Sequence, residues 1–258
     1  MANSQLFIML ILLLILNLPG RGQLTIEDRD NIHRPFDIIL QLYVQGTRFD
    51  YQALHEDSED LQRLSEYIDT LETVNTVDLT RDDALAYWLN LYNAATLELI
   101  LQNYPVTSIK DLGNLFRSAW KRKVVAVALH GELSLDEIEH DIIRRQFDDP
   151  RIHFALNCAS IGCPPLQRRA YIGGTLDSQL DQAVKNTLRS EQWLNVTEKE
   201  IEVTKIFDWY KDDFRSSGGS VREFIARYRK DLRKILLEEQ RKIDFMDYDW
   251  KLNRVEVD

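Results

Sequence analysis

Apolar residues recur at helical spacing through most of this chain, and strict alternation is confined to a few short stretches. Ile38, Ile39, Leu42 and Tyr43, then Leu54, Leu61, Leu64, Tyr67, Ile68 and Leu71, form stripes three and four residues apart. That spacing predicts two or three helices over residues 25–75, with TRFDYQAL (47–54) as a connecting turn. Thr80 and Asp83 resemble a capping box with Asp in the place of Glu or Gln. They open the most apolar helix of the chain, residues 84–104, which ends before Pro105 because the residue preceding a proline avoids helical geometry. A helix apolar nearly all round belongs in the core.

Residues 123–129 read as a short strand and His130-Gly131 as a hairpin turn. Ser134 and Glu137 then form a true capping box, starting a helix over residues 135–147 whose core stripe is Leu135, Ile138, Ile142 and Ile143. Ile152, Phe154 and Leu156 alternate, the pattern of a half-buried strand, which would put Arg151, His153 and Asn157 on its opposite face. An amphipathic helix follows over residues 175–188, then a hairpin over 193–207 turning at Glu198-Lys199. The SSGGS patch (216–220) precedes a last helix over 221–236. The fold class expected is α+β: a helix-rich mixed domain with a small, mostly antiparallel sheet.

Residues 6–18 are an apolar run broken only by Asn17 and closed by Pro19-Gly20-Arg21-Gly22. A run this short falls below the roughly 20 residues of a membrane span and fits the core of a secretory signal peptide. The expected organisation is a signal peptide at 1–22, an N-terminal helical segment at 23–80 packed on the main domain, and an α/β domain at 81–258. The mature protein is expected to be exported, secreted or periplasmic, with no stable membrane insertion after signal removal. An apolar fraction of 44% supports a sizeable core, and a formal charge of −10 argues against a general nucleic-acid partner. Lys and Arg cluster in 117–123 and 227–234, but apolar residues interrupt both runs, as on a solvated face.

The chemistry centres on residues 151–166, RIHFALNCASIGCPPL, which hold both cysteines of the chain, Cys158 and Cys163, and His153. In an oxidising compartment this Cys-x4-Cys pair could close a disulfide, or leave two free thiols, or one reactive thiol beside a buried one. Glu139 falls on or beside the core stripe of its helix and therefore needs a partner. His140 shares a neighbouring face with Arg144. Asn90 and Asn93 lie three residues apart inside the buried helix, where they either satisfy loop backbone or border a site.

WLNLYNAATL (88–97), YPVTSI (104–109), LSLDEIEHDIIR (133–144), DPRIHFALNCASIGCPPL (149–166), LDSQL (176–180), FDWYKDDF (207–214) and YDWKLN (248–253) occur in one order. Together they resemble the domain-of-unknown-function family 547 over about residues 82–253. The resemblance implies a mixed α/β domain similar to the papain-like cysteine hydrolases, without an established reaction. Its motif positions here are Asn90, Asn93, Glu139, His140, Arg151, His153, Asn157, Cys158, Cys163, Asp249, Trp250 and Asn253.

A cysteine nucleophile needs a base, a group orienting that base and donors for an oxyanion. The candidates are Cys158 as nucleophile, His153 or His140 as base, Glu139 as orienter, and Asn157 or a loop N–H as oxyanion donor. Asn90, Asn93, Arg151 and Asn157 are the candidate substrate-binding residues, and a small molecule or peptide is the expected ligand. The alternative is a non-catalytic binding module shaped by a Cys158–Cys163 disulfide. No cofactor is implied, and the spacing of His140, His153, Cys158 and Cys163 fits no standard zinc pattern. Asn195-Val196-Thr197 is a glycosylation candidate.

Overall fold

The computed structural model describes residues 32–114, 118–216 and 219–256. The apolar run at 6–18, and with it the expected signal peptide, lies outside the described residues. Helices α1 (Arg34–Tyr43), α2 (Tyr51–Glu56) and α3 (Ser58–Glu72) precede the central α4 (Arg81–Leu101). A small antiparallel hairpin, β1 (Val44–Gln45) and β2 (Arg48–Phe49), separates α1 from α2, where the expected turn lies. Side-chain oxygens start three of these helices. Asp50 accepts from the Ala53 N–H, Asp57 from those of Glu59 and Asp60, and Thr80 from that of Asp83, each cap being worth about 1 kcal/mol.

Every residue of α4 from Leu85 to Leu97 is buried, as its sequence demands. Around it collects one hydrophobic cluster that includes Phe36, Leu40, Phe49, Leu64 and Leu71 from the N-terminal elements and Ile138 and Ile143 from the following helix. Each large apolar side chain so removed from water contributes roughly 1.5–3 kcal/mol.

Strands β3 (Lys123–Val127) and β4 (Gly131–Ser134) pair antiparallel. The strand stops two residues short of the expected end because Leu129 turns in the left-handed region at φ 68°. The Ser134–Glu137 box forms as expected, with the Glu137 carboxylate accepting the Ser134 N–H at 2.7 Å and the Ser134 hydroxyl accepting the Glu137 N–H at 3.3 Å. The helix it starts has π-type hydrogen bonding over Glu137–Ile143 before the short α5 (Arg144–Gln146). Such widened turns are common at functional sites.

The strand expected at residues 152–156 is not there. Pro150–Phe154 is a 3-10 turn, capped by the Asp149 carboxylate accepting the Arg151 N–H. Three alternating apolar residues do not distinguish a strand from a tight helical turn, and Pro150 at its first position favours the turn. The residues from Ile152 to Asn157 are all buried, so there is no polar face. The turn instead wedges between two cores. Ile152, Ala155 and Leu156 join the cluster around α4, while Phe154 joins a second cluster with Val184, Ile201, Phe207, Phe214 and Phe224.

The second cluster is built from α6 (Leu176–Arg189), β5 (Leu194–Val196), β6 (Glu200–Val203), α7 (Ile206–Trp209), α8 (Lys211–Ser216), α9 (Val221–Tyr228) and β7 (Lys242–Phe245). The expected last helix is α-helical only to Tyr228: it breaks at Arg229, and a 3-10 turn (Lys230–Leu232) and a π-type turn (Lys234–Glu238) continue the segment. Arg229 leaves the helix to bind the Asp231 carboxylate and the Leu188 carbonyl. Strands β5 and β6 pair antiparallel, and β7 joins β6 in parallel. The fold is helix-rich α+β, but the expected single sheet is three small ones of two, two and three strands among the described residues.

The C-terminal segment ties distant pieces together. Leu252 bridges Ser160, the Asn253 N–H donates to the Ala159 carbonyl at 3.1 Å, and the Asn253 carbonyl accepts the Phe49 N–H at 2.9 Å. One extended strand thus holds the cysteine loop against the N-terminal hairpin.

Candidate functional site

A cavity of about 380 Å³ opens beside the two clusters, lined by Tyr92 and Leu156 from the first side and Ile206, Trp209 and Tyr210 from the second. Its remaining wall comes from Asp136, Glu139, His140 and His153, the pair Cys158 and Cys163, and Ser118, Trp120, Tyr248 and Trp250. Cys158, Cys163, Glu139, His140 and His153 therefore share one cavity.

The cysteine loop is held by its own amide neighbour. Asn157 gives its side-chain N–H to the Pro164 carbonyl at 2.7 Å and accepts the Ala159 N–H at 2.9 Å. This holds Ala159 in the left-handed region at φ 61°, a conformation costing a non-glycine residue about 1 kcal/mol and persisting only where its surroundings fix it. Both cysteines are free thiols, Cys158 partly exposed and Cys163 buried. Their sulfurs stand 2.7 Å apart.

Cys158 Sγ also lies 3.1 Å from Ser160 Oγ and 3.3 Å from Tyr248 Oη. The hydrogen bond from Cys163, with those from Ser160 and Tyr248, outweighs burial and draws the Cys158 thiol down to about 7. Burial and the neighbouring Cys158 push Cys163 well above the usual thiol range. Cys158 is therefore the more acidic sulfur of the pair, and the proton is drawn toward Cys163. Tyr248 packs against Gly162, where a Cβ would meet its ring at 2.9 Å, so glycine is needed there for the phenol to reach both sulfurs. The Tyr248 hydroxyl donates to Cys163 Sγ at 3.1 Å and accepts from the Ser160 hydroxyl at 3.0 Å. Replacing Tyr248 by phenylalanine should raise the midpoint of Cys158 alkylation against pH by about 1 unit, the size of one hydrogen bond to a charged group. A midpoint unmoved from the parent's would remove Tyr248 from the thiolate's support.

The histidines are differently employed. His153 is buried, its Nε2 lies 2.8 Å from the Asp213 carboxylate, and its ring stacks on Tyr210 at 3.7 Å between centroids. Burial lowers the His153 pKa against the pull of Asp213, so it is a neutral donor to that carboxylate. Against burial, bonds from His153 and Arg144 hold Asp213 well below the usual carboxylate range. His140 is half-exposed, with Nδ1 accepting from Arg144 at 3.1 Å. Glu139, the expected orienter of a histidine, instead accepts from the Tyr210 hydroxyl at 2.6 Å and the Tyr92 hydroxyl at 3.3 Å. Neither histidine is among the hydrogen-bond partners of Cys158 in the described residues.

The four residues expected to bind substrate do not line the cavity. Asn90 pairs both ways with the Tyr171 backbone at 2.8 and 2.9 Å. Asn93 does the same across the cysteine turn, donating to the Ala155 carbonyl at 2.9 Å and accepting the Asn157 N–H at 2.9 Å. Arg151 binds the carboxylates of Asp149, Asp177 and Asp181. Asn157 has no amide hydrogen-bonding role toward the cavity, because the bonds above take it up. The loop N–H groups are occupied too. That of Cys158 donates to Cys163 Sγ at 3.0 Å, and those of Ile161, Gly162 and Cys163 go to backbone carbonyls. Asn157 and the N–H groups of Cys158, Ile161, Gly162 and Cys163 are thus engaged elsewhere. Asn195 pairs with Glu202 at 2.7 Å on β5.

Ser160, Tyr248, Tyr92, Tyr210 and Asp213 were not singled out by sequence. All five lie in the motifs quoted above, but only Ser160 is close to Cys158 in sequence; the others are brought to their partners from 47 to 90 residues away by packing.

The family model described as "Protein of unknown function, DUF547" matches residues 76–187, a stretch that carries Glu139, His153, Cys158 and Cys163. No curated protein and no solved structure matches the chain, and the papain-like likeness gains no support from that comparison.

Proposed function

We propose, from the match of residues 76–187 to the family 547 model and from the site's geometry, that the protein is a thiol-dependent enzyme of the exchange type, acting on a small disulfide. Cys158 is the nucleophile and Cys163 the resolving thiol. The observation that carries this is the pairing of the two sulfurs at 2.7 Å, with the hydroxyls of Ser160 and Tyr248 rather than a histidine beside Cys158 Sγ. Thiol–disulfide exchange needs a thiolate and a second thiol. Acyl transfer needs a base and free oxyanion donors, and the loop N–H groups named above are engaged. The hydrolase arrangement of Cys158, His153 or His140, and Glu139 is therefore the weaker reading.

The Cys158 thiolate attacks one sulfur of the substrate disulfide, and the bonding pair leaves with the other sulfur as a thiolate. Cys163, no longer sharing its proton with a thiolate, passes it to the leaving sulfur and attacks Cys158 Sγ, expelling the second substrate thiolate. The protein's thiolate and thiol are oxidised to one disulfide and, with one proton taken from solvent, one substrate disulfide is reduced to two thiols; a further pair of small-molecule thiols re-reduces the Cys158–Cys163 disulfide for the next cycle. Export, as the apolar leader suggests, would place this couple in an oxidising compartment.

Two experiments separate the readings. His140→Ala should leave the alkylation midpoint of Cys158 near 7, because no bond to the sulfur is lost. A rise of a unit or more would restore His140 as a base and favour the hydrolase. Mixing the reduced protein with a small disulfide should release thiol at a rate that climbs through pH 7 and then levels, following the Cys158 thiolate.

A further inference from the structure

The cavity's wall carries a consistent sign. Asp136 and Glu139 face it, and no lysine or arginine lines it among the described residues. The rest of that wall is aromatic: Trp209 stacks with Trp250 at 5.7 Å, Tyr248 lies 4.5 Å from Trp250, and Trp120 meets Trp250 edge-on at 5.6 Å. Lys110, outside the cavity, sits 3.7 Å from the centroid of the Trp250 ring, so this cluster already holds one cation on a π-face. Trp209 is 44% exposed, so part of its indole stays open to the cavity mouth. Aromatic faces carry negative quadrupoles and attract ammonium groups, the more strongly when water is excluded. Carboxylates and a thiolate in the same cleft add attraction for cations and repel anions.

We infer that the substrate is a small disulfide bearing an ammonium group, its cationic end held by Asp136, Glu139 and the Trp120–Trp209–Trp250 wall while its sulfurs meet Cys158. This rests on the exchange reading above and adds the chemical class of the substrate. The same positive charge beside the thiolate would favour attack on that disulfide over an uncharged one.

The test uses three disulfides on one skeleton, bis(2-aminoethyl), bis(2-hydroxyethyl) and bis(2-carboxyethyl) disulfide. Each rate is divided by its rate with a free small thiol at the same pH and salt, which removes intrinsic reactivity. The normalised rate should be about tenfold higher for the amine than for the alcohol, and lowest for the acid. The preference should shrink severalfold in Asp136→Asn, at a half-buried position, and in Trp209→Leu, at an exposed one. Equal normalised rates, or a preference untouched by both variants, would overturn the inference. Tryptophan fluorescence titrated with propylammonium, propanol and propionate tells the two proposals apart. Binding of the ammonium alone, lost in Trp209→Leu, supports the cation site even if no disulfide is exchanged. Absence of ammonium binding overturns the site even if exchange proceeds.

Discussion

Cys163→Ser should stop the protein at its first covalent step, accumulating one substrate half per chain on Cys158 and cutting turnover by about 100-fold or more. The serine hydroxyl can still accept the Cys158 N–H and donate to Cys158 Sγ, so the loop should keep its shape and Cys158 its reactivity. What is lost is the second nucleophile, 2.7 Å from the first. Cys158→Ser should fail earlier, with no adduct and no thiol released. Intact mass after addition of a small disulfide distinguishes these outcomes, and a Cys163→Ser protein that turns over at the parent rate would remove Cys163 from the chemistry.

Asn93→Ala should be the most damaging substitution away from the sulfurs. Its amide is buried and pairs with the Ala155 carbonyl and the Asn157 N–H, so truncation leaves two backbone groups unsatisfied inside the core. At about 1–3 kcal/mol for each unpaired group, a loss of roughly 2–5 kcal/mol is expected. Urea unfolding should show it as a lower midpoint at unchanged slope. Because Asn157 positions Ala159 and with it the cysteine loop, the alkylation midpoint of Cys158 should rise as well. A cost under about 1 kcal/mol with an unmoved midpoint would mean that water replaces the amide and that α4 does not set the loop.

Those two positions also mark what the sequence revealed. Asn90 and Asn93 stood out because buried amides in an apolar helix need partners, and the partners are loop backbone. The Ser134–Glu137 box and the hairpin at Glu198-Lys199 are local signals, and both formed. The turn at Pro150–Phe154 was misread because three alternating apolar side chains satisfy a strand and a 3-10 turn alike. What decided it was the presence of two cores, one on each side, which no local pattern encodes. The break after α9 comes at Arg229, whose guanidinium binds the Leu188 carbonyl on α6 and the Asp231 carboxylate. The thiolate's donors were hidden for the same reason. Tyr248 is one aromatic among many until the C-terminal segment carries it across 90 residues of sequence to Cys158. Glu139 was correctly seen to need a partner, but two tyrosines, not a histidine, supply it.

The most direct test is to add one equivalent of a small disulfide to the fully reduced protein at pH 8 and record thiols and intact mass together. Two substrate thiols should be released per chain, and the protein should become lighter by two hydrogens, with Cys158 and Cys163 joined. A stable adduct on Cys158 with Cys163 still free, or no reaction faster than that of an unfolded cysteine peptide, would contradict it.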